Sequence, residues 1–111
     1  MGRNRQEPRR MTQLLIIAPT ARELGSDWRL PPNVRTGVVG LGEAAGPNLR
    51  ALLGEIKPRA VLSLGFAGAL KPGLRTGDLV LCRHAVSPDE SKAADADATL
   101  TAMAQDALVS A

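Results

Sequence analysis

Apolar residues in this chain come either in short unbroken runs or at helical spacing, and the two patterns demand different elements. Leu14 to Ala18 is an unbroken apolar run closed by Pro19, which suits a strand covered on both faces better than a single helical turn. Ala60-Val61-Leu62-Ser63-Leu64 is a second such run, stopped by Gly65-Phe66-Ala67-Gly68. Between them, Thr36 to Val39 reads as a strand that enters Gly40-Leu41-Gly42. Leu49, Leu52, Leu53 and Ile56 then recur at the i, i+3, i+4, i+7 spacing of one helical face. That helix is expected to end at Lys57, because Pro58 disfavours helical geometry in the residue before it. Strand, glycine turn, helix and strand over residues 36–64 make a βαβ unit, with parallel strands joined by a right-handed crossover.

The remaining pattern is more broken. Gly25, Ser26, Asp27, Pro31, Pro32 and Asn33 crowd residues 25–33 and mark a surface connection. Pro72, Gly73 and Gly77 make a second irregular stretch before an expected strand at Leu79 to Cys82, and residues 85–98 turn polar and acidic. Leu100, Met103, Ala104, Ala107 and Leu108 return to helical spacing at the end, with Leu100 and Met103 facing a core and Asp95 and Asp97 as charges at the helix start. The fold class is therefore α/β, with a largely parallel sheet of about four strands and two or three helices. Strands that are apolar on both faces need two covering layers, and so few helices cover barely one. Either a second chain covers the open face or the sequence is the front half of a longer fold.

Composition fits a globular domain: 44% of the 111 residues are apolar and 23% charged, so the chain is neither disordered nor fibrous, and its length allows one domain. Trp28 and Phe66 are the only aromatic residues, which argues against a nucleic-acid reader that stacks several bases. The net charge of +3 changes meaning once it is located. Arg3, Arg5, Arg9 and Arg10 against Glu7 carry all of it, and the remaining residues hold ten basic and ten acidic side chains. Residues 1–12 are accordingly set apart as a basic tail and 13–111 as the domain. Met11 stands directly before the first apolar run, so translation is expected to start there and residues 1–10 are expected not to be native. Arg9-Arg10 precedes too short an apolar stretch for an export signal, Gln6 breaks the myristoylation pattern, and no run approaches the ~18 apolar residues of a membrane span. The single cysteine forms no internal disulfide, and Cys82 with the lone His84 cannot furnish a structural zinc site. The expectation is a reduced, cytoplasmic protein with no metal, no membrane and no nucleic acid.

Three places offer chemistry. Gly40-Leu41-Gly42-Glu43-Ala44-Ala45 fits G-x-G-x-x-G/A between a strand and a helix, where bare N–H groups and the helix dipole favour an anion or a sugar hydroxyl. A dinucleotide site would also need an acid ~20 residues on, where Ser63 and Leu64 stand; glycines that only permit a tight turn remain an alternative. Gly65-Phe66-Ala67-Gly68 leaves the carboxyl end of the next strand, and two such turns on adjacent strands would face one crevice. Glu23, just past the first strand, lies at the same rim and reads either as a general base or as a solvated helix-start residue. Cys82 and His84, two apart at a strand end, are read as structural, and Asp78 as a side chain that ties down its turn.

Gly37-Val38-Val39-Gly40-Leu41-Gly42, the helix after it and above all Ala60 to Leu81, AVLSLGFAGALKPGLRTGDLVL, resemble the nucleoside phosphorylase and nucleosidase superfamily over residues 14–85. The pairing of the second glycine turn with Pro-x-Leu-x-x-Gly-Asp is the specific part. The similarity is closest to the branch of methylthioadenosine/S-adenosylhomocysteine nucleosidase, futalosine hydrolase and the hopanoid-associated enzyme. It implies a three-layer αβα fold and cleavage of a purine N-glycosidic bond without a cofactor. Glu23 would position or activate the attacking water. Gly40, Leu41 and Gly42 would bind on the sugar side, and Phe66, Ala67 and Gly68 near the ribose and base. Phosphorylases of this family hold phosphate with a first-strand arginine, which Arg22 could match, and with a further arginine and serine whose places Ser63 and Phe66 occupy. Water is therefore favoured over phosphate, with the phosphorylase as alternative. Ala69 replaces a family glycine and bears on substrate size. The family's leaving-group aspartate lies further along than Ala111, so the resemblance also implies that the chain is the N-terminal part of the enzyme, nearly inactive alone, and a homodimer at full length. A non-catalytic binding module and, more weakly, a dinucleotide-binding domain are the readings from other classes.

Overall fold

The computed structural model describes residues 11–26 and 29–110. Residues 1–10 of the basic tail, Asp27, Trp28 and Ala111 lie outside the described residues. The chain divides into two compact units, one ending at Gly68 and the other beginning at Ala69.

The first unit is an α/β layer structure. Strand β1 (Leu14–Ala18) is followed by a one-turn helix α1 (Ala21–Leu24), then by β2 (Val34–Val38). A short 3-10 turn at Gly42–Ala44 leads into α2 (Ala45–Ile56), and β3 (Ala60–Ser63) closes the unit. The sheet order is β2-β1-β3 and every pairing is parallel, with Ile17 opposite both Gly37 and Ser63. The unbroken apolar run predicted as a doubly covered strand takes the centre, where both faces and both edges are protected. Leu15 and Ile17 meet Val39 and the Leu49, Leu52, Leu53 and Ile56 face of α2, whereas Ile16 and Ala18 meet Leu24 of α1 together with Leu30, Val34 and Leu64. One helix on each side of the sheet gives the αβα layering. α2 stops where the proline predicts: Lys57 turns left-handed (φ 54°) and donates its N–H to Leu53 O.

Two expectations are corrected in this unit. The second strand begins at Val34 rather than Thr36, because the parallel ladder to β1 starts with Leu14 opposite Val34. The two glycine turns do not leave adjacent strands either. They leave β2 and β3, which flank β1, since the strand with the longest apolar run displaces its neighbours to the edges.

The second unit contains an antiparallel hairpin, β4 (His84–Val86) with β5 (Ala93–Asp95), and the helix α3 (Ala98–Ser110). The helix is the one its spacing predicts, and Asp97 caps it by accepting the Leu100 N–H (2.9 Å). Its expected core-facing side chains stay largely open, with Met103 61% exposed. The expected strand at Leu79 to Cys82 is absent: these residues carry no ladder among the described residues, and Leu79 and Val80 are exposed. β-Residues become a strand only against a partner. The polar stretch after them supplies the hairpin instead, where Asp89 accepts hydrogen bonds from the Ser87 hydroxyl and from the N–H and hydroxyl of Ser91. His84 lies in β4 and pairs with Asp95 across the hairpin, so Asp95 serves the sheet rather than the helix start. Asp78 does tie its turn, accepting the Arg75 N–H (2.8 Å) and donating its own N–H to Arg75 O (3.0 Å).

Candidate active site

The sheet order makes the carboxyl end of β1 a topological switch point. From β1 the chain passes through α1 on one face of the sheet to β2, and from β2 through α2 on the other face to β3, so the connections after β1 and β2 leave for opposite faces. Open parallel sheets bind ligands at the carboxyl ends of strands where neighbouring connections part in this way. Glu23 stands there, in the turn of helix that leaves β1.

Three donors hold the Glu23 carboxylate. Oε2 accepts the Thr20 N–H (3.2 Å) and the Thr20 hydroxyl (2.9 Å), and Oε1 accepts the Phe66 N–H (3.0 Å) from the turn after β3. The carboxylate therefore bridges the two loops. Gly65 makes this approach possible, because a Cβ at that position would sit 2.8 Å from Glu23 Oε1. The Phe66 N–H first, then the Thr20 hydroxyl, hold the Glu23 carboxyl below its usual value of 4.5, against a small opposing effect of desolvation. Glu23 is thus a fixed anion at neutral pH.

The first glycine turn is built differently from the anion cradle its pattern suggested. The Gly40 N–H donates to Pro19 O (3.0 Å) and continues the β1–β2 ladder, so it is not bare. Gly40 has φ 89°, open to glycine but strained for other residues, and a Cβ there would touch Asn48 Nδ2 at 3.4 Å. Asn48 donates that nitrogen to Val39 O (2.7 Å), fastening the start of α2 to the end of β2. Leu41 and Phe66 are exposed, and among the described residues no atom stands within 4 Å of a Cβ placed on Gly42 or Gly68.

The structure brings together Glu23 and the Phe66 backbone, and leaves Gly40, Leu41 and Gly42 on the other flank of β1. Thr20 and Asn48 were missed in the sequence. Thr20-x-x-Glu23 is a capping-box spacing that could have revealed the first, and a polar Asn48 directly beside the apolar face of α2 hints at the second. A shallow cavity of about 230 Å³ lies beside α1, lined by Ala21, Leu24, Gly25, Ser26, Leu30 and Thr36, and Glu23 is not part of its wall. Among the described residues no three His, Cys, Asp or Glu side chains come together as metal ligands, and no helix is long and apolar enough to cross a membrane.

In comparisons with known proteins, the family described as the phosphorylase superfamily matches residues 31–109. The matched range takes in both glycine turns and begins after Glu23. No curated protein and no solved structure matches the chain.

Proposed function

Because the chain belongs to the phosphorylase superfamily, we propose that its first unit forms the sugar and nucleophile side of a nucleosidase site that hydrolyses the N-glycosidic bond of 5′-substituted adenosines such as methylthioadenosine. The observation that carries this reading is the Glu23 carboxylate held between the turns that follow β1 and β3. As the bond from the anomeric carbon to the base breaks, its electron pair leaves with the base and the sugar gains oxocarbenium character. A fixed anion stabilises that charge without reorganising. Water then adds its oxygen to the anomeric carbon and gives a proton to Glu23. A carboxylate of lowered pKa is a weak base, but water already bonding to a cationic carbon is acidic enough for one.

Water is favoured over phosphate by the same contacts. A phosphate dianion needs several charge-assisted donors, and here the Phe66 N–H is occupied by a carboxylate whose charge repels it. Leu41 and Phe66, apolar and exposed beside the two turns, suit the uncharged faces of a nucleoside. The leaving base also needs a proton, and an absent general acid typically costs ~10²–10⁴ in rate. Nucleoside binding is the property that tests this reading most directly. Titration of the 15N-labelled chain with methylthioadenosine is expected to shift the amides of Gly40 to Gly42 and Phe66 to Gly68, with any adenine release independent of phosphate. Unmoved amides at millimolar nucleoside, or adenine release that requires phosphate and yields 5-methylthioribose 1-phosphate, would overturn the proposal.

A further inference from the structure

The geometry points to Thr20 as a positioning residue that saturates one oxygen of Glu23 and leaves the other to receive the proton of the attacking water. A carboxylate offers about four acceptor positions, two on each oxygen. Oε2 takes both the Thr20 N–H and the Thr20 hydroxyl, so its two are filled. Among the described residues Oε1 takes only the Phe66 N–H, which leaves one position, on the atom nearer the turn after β3.

Capping alone does not account for this arrangement. α1 has only four residues, and its start would be served by the Glu23 carboxylate accepting the Thr20 N–H. The added hydroxyl bond fixes the rotation of the carboxylate, and the second oxygen reaches a residue 43 positions further along the chain. The bare Cα of Gly65 lets that oxygen pass where any side chain would block it. The result is a carboxylate with one acceptor position that the described residues leave unfilled, between the carboxyl ends of two strands, suited to one water. In the reaction the O–H bond of that water breaks toward Oε1 as its oxygen bonds to the anomeric carbon, and Oε2 stays with Thr20. The catalytic meaning of this assignment rests on the nucleosidase reading; the fixing of the carboxylate does not.

The test compares wild type with Thr20→Val, which keeps the branched shape and the backbone N–H but removes the hydroxyl, and with Thr20→Ser, which restores it. Each is followed in two ways: the pH titration of the Glu23 side-chain carboxyl carbon by NMR, and the affinity for methylthioadenosine. In Thr20→Val the Glu23 midpoint is expected to rise, the Phe66 amide resonance to move, and nucleoside affinity to fall several-fold, with Thr20→Ser close to wild type in all three. A Glu23 midpoint and Phe66 amide unchanged in Thr20→Val would overturn the inference even if nucleoside binds normally. A raised midpoint rescued by Thr20→Ser in a protein that binds no nucleoside would support the positioning and sink the functional reading instead.

Discussion

Gly65 carries more of the site than its lack of a side chain suggests. Replacing it by alanine would set a methyl group 2.8 Å from Glu23 Oε1, so the carboxylate must move and the Phe66 N–H bond must break. Gly65 is itself exposed, so the sheet is expected to survive. Gly65→Ala should therefore keep the wild-type circular dichroism and melting profile while weakening methylthioadenosine binding about tenfold, the cost of one charge-assisted hydrogen bond. Equal affinity in the two proteins would show that the bond is dispensable. At this scale the sequence is only partly legible. Glu23 follows an obvious strand and could be singled out, but its partner from the turn after β3 is a backbone N–H, which has no residue type to announce it. Thr20 was hidden for another reason, since a threonine three residues before a glutamate reads first as a helix start.

Among the elements, β1 and α2 could be read because burial imposes a period on them: five unbroken apolar residues for a strand covered on both faces, and a 3.6-residue repeat for a helix covering one. Leu79 to Cys82 shows where that reading stops. An apolar run reveals that a backbone is suited to pairing, and says nothing about whether a neighbour is present. The β4–β5 hairpin escaped notice for the opposite reason, being short, rich in alanine and exposed, and organised by Asp89 in its turn rather than by a hydrophobic face. The Ser91 N–H, the Ser91 hydroxyl and the Ser87 hydroxyl together lower the Asp89 carboxyl from 3.8 to about 2. A carboxyl lowered by folding stabilises the folded form fully above its unfolded value and loses that contribution as protons bind. The hairpin should therefore hold from neutral pH down to about 4 and loosen between 3.8 and about 2. Amide exchange of Ser91 and Lys92 followed through that range tests it: Asp89→Asn should exchange as fast at neutral pH as wild type does in acid, and a pH-independent wild type would count against the role of Asp89.

At the scale of the whole chain, charge and chemistry separate. The excess positive charge belongs to the first ten residues, and the rest is balanced. The candidate site falls entirely within the unit that ends at Gly68, on the only described parallel sheet. Its defining property is one fixed negative charge at the end of the central strand, and a site shaped for an oxocarbenium-like sugar should prefer a cation there to a neutral ring. The most direct measurement is calorimetric titration of wild type and Glu23→Gln with two ligands, methylthioadenosine and an analogue whose sugar ring carries a protonated nitrogen. Wild type should bind the cationic analogue at least about tenfold more tightly than the neutral nucleoside, and Glu23→Gln should bind both alike. A wild type that shows no preference for the cation, or a preference that survives Glu23→Gln, would contradict the assignment of Glu23.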